Sequence, residues 1–288
     1  MKVILGTWPI SGDYGKYNFN ESKKLINYFL SKGYNEFDTA PNYGYGKSEL
    51  ILGEVLFNKK VLINTKVGNN ENKQKSFELS FIKKSFSNSL RRLKRKSVNI
   101  LFLHNPRNIK NSKKIIEFLQ DLKKQRKIKN YGISISKDYK YSKTFLNKFK
   151  IFQVDYNLIY QKLYFDGFYK SQSNIYVRSP LASGLLSKKK KSFSKNDHRN
   201  KWLNKDRLNK IYDSIAKIKK NYDFTLTELS VLFLKKSEFS KKVIFGCRTV
   251  SQFKDIEKII KSPIKLSTKQ FSNIKEIYLK NIKNKNFY

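Results

Sequence analysis

The chain has 288 residues, 39% of them hydrophobic and 15% aromatic, enough apolar surface to bury a core and too much for an intrinsically disordered chain. Its formal charge is +40, from 62 Lys and Arg against 22 Asp and Glu, and a charge of that size points towards nucleic acid or another anionic surface. The lysines, however, run evenly from end to end beside abundant Asn and Ile, the composition that AT-rich codons produce, and without a nucleic-acid-binding motif no specific nucleic-acid partner is expected.

The first apolar run, residues 3–5, reads as a strand and is too short for a signal peptide or a membrane span. Residues 21–31 carry Leu25, Ile26, Phe29 and Leu30 at helical spacing. Strands are expected at 35–38 and 61–65, then a helix at 77–94 with Phe81, Ile82, Phe86, Leu90 and Leu93 on one face. A strand at 100–103 precedes a helix at 113–125 with Ile115, Ile116, Leu119 and Leu122. Four further strands are expected at 131–134, 151–155, 175–178 and 243–245. Residues 183–204 read as a long basic loop after the seventh strand, and loops of that length are usually functional or mobile. Residues 265–288 read as a C-terminal helix and a basic tail. Cys247 is the single cysteine, so no intrachain disulfide forms, which fits a reducing cytoplasm. A soluble cytoplasmic protein with no membrane partner is the expectation.

Eight strand–helix units in succession imply a parallel sheet, because each parallel crossover needs a helix. Eight such units in a chain of this length are the size at which the sheet closes into a (β/α)8 TIM barrel. No linker or low-complexity segment divides residues 1–288, so a single domain is expected. An open doubly wound sheet is the alternative, but no G-x-G-x-x-G follows the first strand.

In such a barrel the active site lies at the C-terminal ends of the strands. The second expected strand ends at Asp38 and is followed by Tyr43; the third leads to Lys66 and the fourth to His104. A phenol is a weak acid at neutral pH, and a nearby lysine cation lowers its pKa. Asp38 would keep Lys66 charged and oriented, and His104 could hydrogen-bond a carbonyl oxygen. The set suits protonation of a carbonyl oxygen as hydride arrives at carbon. Taken singly, Asp38 could be a helix cap and Tyr43 a packing residue; their joint placement on one rim favours catalysis.

The segment Phe37-Asp-Thr-Ala-Pro-Asn-Tyr43-Gly-Tyr-Gly-Lys-Ser-Glu-Leu-Ile-Leu-Gly53 closely resembles the signature of the aldo-keto reductase family. Asn64-Thr-Lys66, Leu101-Phe-Leu-His104, Gly132-Ile-Ser134, Gln153-Val-Asp-Tyr-Asn157, Arg178-Ser-Pro-Leu-Ala-Ser-Gly184 and Phe245-Gly-Cys-Arg248 follow in the family's order. The resemblance implies an NAD(P)H-dependent reductase acting on a small-molecule carbonyl substrate, with Tyr43 as general acid, Lys66 and Asp38 tuning it, and His104 orienting the carbonyl. It further implies that Gly6, Thr7 and Trp8 line the nicotinamide end of the cofactor and that Ser134 and Gln153 bind its carboxamide. Ser179, Leu181, Ser183 and Gly184 would wrap the pyrophosphate. Gly246, Arg248, Gln252 and Asp255 would hold the adenosine phosphate end, where a helix N-terminus and an arginine both favour phosphate. Arg248 leans the cofactor towards NADP(H) over NAD(H).

The sequence departs from the family's pattern at Ile135, where Asn usually follows the serine, at Phe245, where Pro is usual, and at Ile256, where an acid–Asn pair is usual. It opens on the first barrel strand, which implies a short-form member without the bottom-capping hairpin, similar to members found with surface-sugar biosynthesis. Short loops and a cationic mouth imply room for a large anionic substrate such as a nucleotide sugar. A cofactor-binding regulatory or sensor protein with little turnover is the other reading, and a charge-driven nucleic-acid-associated protein is a third; the intact quartet favours an enzyme.

Overall fold

The expected apolar runs become eight parallel strands: β1 (Lys2–Gly6), β2 (Glu36–Asp38), β3 (Leu62–Val67), β4 (Val98–His104), β5 (Ile128–Ser134), β6 (Ile151–Asp155), β7 (Asn174–Arg178) and β8 (Lys242–Gly246). Each pairs with its neighbour in chain order and β8 pairs back onto β1, closing the barrel. The computed structural model describes residues 1–106, 109, 112–135, 141–167, 174–187 and 192–283.

The helices that return the chain between strands are α1 (Phe19–Ser31), α2 (Lys47–Val55), α3 (Leu79–Arg92), α4 (Ser112–Lys124), α5 (Lys143–Leu146), α6 (Lys162–Phe165), α7 (Lys205–Lys219), α8 (Leu226–Lys236), α9 (Val250–Lys261) and α10 (Thr268–Asn281). The N-termini of α1, α5, α7, α8, α9 and α10 carry side-chain caps that satisfy otherwise unpaired N–H groups. Asn18 Oδ1 accepts from the Glu21 amide at 3.1 Å to start α1, and Thr225 and Glu228 form a reciprocal capping box at α8. Leu25, Ile26 and Phe29 of α1 are wholly buried against the sheet, each burial stabilising by roughly 1.5–3 kcal/mol.

Successive strand side chains point to opposite faces, and this alternation builds the site. Ile4, Ile100, Phe102, Ile151, Tyr176 and Ile244 form a small core distinct from the larger one beneath the helices, and so fill the barrel interior. Gly132 makes room for that filling: a Cβ there would lie 2.9 Å from Phe102 Cε1 and 2.6 Å from the Ile151 carbonyl oxygen. Two residues further along the same strands stand Gly6, His104, Gln153, Arg178 and Gly246. The barrel's C-terminal rim is therefore one layer of polar and glycine residues resting on an apolar plug.

Two details differ from expectation. β3 runs to Val67, because Lys66 and Val67 pair with Phe102 and Leu103 of β4, so Lys66 lies inside the strand and not just past it. The segment 183–204, expected as loosely structured, contains a 3-10 turn at His198–Lys201 anchored by an Asp197–Arg199 ion pair of 2.6 Å; residues 188–191 lie outside the described residues. The C-terminal helix expected within 265–288 is α10, and residues 284–288 lie outside the described residues. Among the described residues no helix is long and apolar enough to cross a membrane.

Candidate active site and cofactor cleft

The four residues expected to do chemistry meet at the rim. Lys66 Nζ donates to Asp38 Oδ1 at 2.6 Å and to the Thr39 carbonyl oxygen at 2.7 Å, with both side chains buried. The same ammonium lies 4.9 Å from the centroid of the Tyr43 ring. His104 closes the other side, edge-on to Tyr43 at 6.2 Å between centroids. Trp8 stacks on Tyr43 at 5.4 Å with planes 15° apart. Gln153, expected to bind a carboxamide, donates Nε2 to Asp38 Oδ2 at 2.7 Å. The carboxylate is thus held on both oxygens, which fixes where Lys66 points.

Burial pulls the Lys66 pKa down, but the Asp38 carboxylate and the Tyr43 phenol more than offset this and hold the ammonium charged. Burial pushes the Tyr43 phenol above its ordinary value, with the Lys66 cation pulling against it. Sequence reasoning anticipates the lysine's pull; desolvation, a consequence of packing, outweighs it. His104 is driven well below its ordinary pKa by burial and then by the cations of Lys66, Arg178 and Lys75, so the imidazole is neutral. Among the described residues no hydrogen-bond partner meets its Nδ1.

Asp13 is a site residue that sequence reasoning passed over. Its Oδ2 accepts from Trp8 Nε1 at 2.8 Å and from the Gly44 amide at 2.9 Å, and its Oδ1 accepts from Lys73 Nζ at 2.9 Å. The Asp13 carbonyl oxygen accepts from the His198 amide at 2.8 Å. One aspartate therefore joins the loops after β1, β2, β3 and β7, and it grips both the residue beside Tyr43 and the indole stacked on it. Burial opposes its ionisation, but Lys73, Gly44 and Trp8 together hold the carboxyl below the ordinary range. The motif Gly12-Asp-Tyr-Gly15 was the available signal; the partners come from distant loops.

A cavity of about 470 Å³ opens beside Asp38 and Tyr43. Gly6, Thr7, Trp8 and Gln153 line it, while Ser134 stands outside the lining, 3.3 Å behind Gln153 Oε1. Lys66 and His104 likewise back the wall without forming part of it. Ser179, Leu181, Ser183 and Gly184 line the next stretch. Here Ser179, Ala182, Ser183 and Gly184 all have positive φ, from 44° to 90°, and the Ala182 and Gly184 amides donate to the Ser179 and Leu181 carbonyl oxygens within this winding.

Gly246, Arg248, Gln252 and Asp255 complete the lining with the first turn of α9. Arg248 is not a free side chain: Nη1 donates to the Tyr14 carbonyl oxygen at 2.8 Å and Nη2 to that of Lys16 at 3.0 Å. It ties the loop after β8 to the loop after β1. A guanidinium has five N–H donors, so this leaves capacity for a phosphate. A long cleft with a helix N-terminus and a shielded Arg178 Nε that has no partner among the described residues fits a dinucleotide. No group of residues suited to a metal ion occurs among the described residues.

The profile of the Aldo/keto reductase family matches residues 2–279. The uncharacterized oxidoreductase YqkF of Bacillus subtilis is 24% identical over 264 residues, covering 82% of this chain and 81% of that one. The D-arabinose 1-dehydrogenase of Saccharomyces cerevisiae is 31% identical over 119 residues, 38% of this chain and 35% of that one. Among solved structures, a glycerol dehydrogenase from Gluconobacter oxydans superposes with a TM-score of 0.77 at 23% identity, covering 99% of this chain and 93% of that chain, a likeness of fold. With the quartet assembled at the rim of a closed barrel and the profile spanning nearly the whole chain, the protein belongs to the aldo/keto reductase family.

Proposed function

We propose that this enzyme reduces the carbonyl of an aldehyde or ketone at the expense of NAD(P)H, with Tyr43 as the proton donor. When bound, the dinucleotide supplies the hydride. The observation that carries the reading is the packing of Tyr43 against a charged Lys66 and a neutral His104. A phenol is protonated at neutral pH and burial holds Tyr43 further in that form, while the Lys66 cation stabilises the phenolate left after proton transfer. Asp38, held by Lys66 and Gln153, keeps that cation in place. A neutral imidazole at His104 can donate to the carbonyl oxygen without competing as an acid.

Gly6, Thr7, Trp8, Gln153, Ser179, Leu181, Ser183, Gly184, Gly246, Arg248, Gln252 and Asp255 would hold the dinucleotide along the cleft, with Ser134 supporting Gln153 from behind. NADP(H) is favoured over NAD(H), because Arg248 brings a guanidinium to the first turn of α9. A sugar or nucleotide-sugar carbonyl is the proposed substrate class: the charges of Lys66, Arg178 and Lys75 reach His104 at the rim, and one of the similar proteins is named for a sugar. A cytoplasmic setting belongs to the same proposal.

The test is oxidation of NADPH and NADH with a panel of sugar, nucleotide-sugar and simple carbonyls, in wild type and Tyr43→Phe. Turnover in the variant should fall by at least about a hundredfold, with cofactor binding kept. Equal turnover in the two proteins overturns the assigned donor.

A further inference from the structure

Arg178 lies in the layer directly above Tyr176 of the barrel's interior core, in the wall of the same cavity as Asp38, Tyr43 and Gln153. Its guanidinium is held from the ends of three strands. Nη2 lies 2.9 Å from Asp155 Oδ2 on β6, donates to the Ile135 carbonyl oxygen after β5 at 3.0 Å, and reaches Asn105 Oδ1 after β4 at 3.4 Å. The side chain is 22% exposed, whereas Asp155 is 2% exposed and does not line the cavity. A molecule in the cleft therefore meets the positive end of this ion pair. The field of Arg178 reaches Asp38, Tyr43 and His104, yet proton donation from Tyr43 requires only Lys66.

The oxidised nicotinamide ring is a cation and the reduced ring is neutral. Hydride donor and carbonyl must meet beside the Tyr43 hydroxyl, so the ring belongs at the end of the cavity that Arg178 walls. A fixed cation there repels the oxidised ring and leaves the reduced ring indifferent. For unit charges several ångströms apart at an effective dielectric near 20, the difference is on the order of tenfold or more in affinity.

We propose that Arg178 makes the cleft selective for the reduced dinucleotide, so that the free enzyme loads with the reduced form and the oxidised form leaves readily. This rests on the nicotinamide reading above. It assigns Arg178 a role in cofactor loading and release, separate from the proton chemistry of the quartet.

Dissociation constants for NADPH, NADP+, NADH and NAD+ test it, measured by titration calorimetry in wild type, Arg178→Lys and Arg178→Met. Arg178→Met strands the buried Asp155 carboxylate, so the double variant Arg178→Gln with Asp155→Asn is measured beside it. The ratio of oxidised to reduced dissociation constants should fall about tenfold in both neutral variants, mainly through tighter binding of the oxidised form, and should persist in Arg178→Lys. A ratio that moves less than threefold in the double variant while both forms still bind overturns the inference and leaves the reductase reading standing. Failure of the wild type to bind any of the four overturns both.

Discussion

Asp13 carries more of the site's geometry than its place in a loop suggests. Truncation to alanine leaves an indole N–H, a backbone N–H and an ammonium without their acceptor, each lost partner costing about 1–3 kcal/mol where water cannot replace it. We expect Asp13→Ala to lower kcat at least about tenfold with a smaller change in KM, because the Tyr43 loop and its stacked Trp8 lose their common anchor. Asp13→Asn keeps one acceptor oxygen and should recover much of the loss. Unchanged kcat in Asp13→Ala would remove Asp13 from the positioning role. At this scale the sequence was readable where a residue ends a strand inside a recognisable motif: Asp38, Tyr43, Lys66 and His104 all meet at the rim. It was silent on Asp13, whose Gly44 and Lys73 partners lie 31 and 60 residues away, and on the Gln153–Asp38 hydrogen bond, which spans 115.

At the scale of elements, hydropathy alternation located all eight strands, because a parallel strand covered on both faces is short, apolar and bounded by polar turns. The ends moved by a few residues. β3 and β4 extend towards the rim because Val67 pairs with Leu103 of β4 and His104 with Ser134 of β5, which no local pattern encodes. Gly132 shows how one strand residue serves its neighbours: its missing side chain is where Phe102 packs. Gly132→Ala should reduce the free energy of unfolding by about 1–3 kcal/mol, the usual cost of overpacking a filled core, with an unchanged denaturant m-value. Wild-type stability in that variant would show that the interior yields to a methyl group. The link from Arg248 to the loop after β1 also belongs to this scale. Sequence reasoning expects the arginine in the cleft as a phosphate ligand; the closed barrel sets β8 beside β1, and there the side chain ties the two loops together.

For the whole molecule, the charge of +40 is spread along the chain, and its effect is concentrated where burial removes water. His104 is the clearest case. Below about pH 6.5 the unfolded chain protonates this imidazole, while the folded chain resists, since its folded pKa is depressed by burial and by three cations. The unfolded state then binds more protons, so stability falls as pH drops from about 6.5 towards the lowered folded value. Thermal midpoints between pH 7 and 5 should decline more steeply in wild type than in His104→Gln; parallel slopes would exclude the effect. His198 is shifted in the same direction, and the single substitution isolates His104. The sequence alone determined the alternation of strand and helix, the barrel it closes, and the residue types delivered to its rim, because these depend on spacing along the chain. Only the tertiary structure decided that Lys66 stays charged, that His104 stays neutral, that Asp13 and Gln153 hold the Tyr43 loop and the Asp38 carboxylate, and that Arg178 faces the cleft. Closure makes distant strand ends neighbours, and the loss of water around them sets their charge.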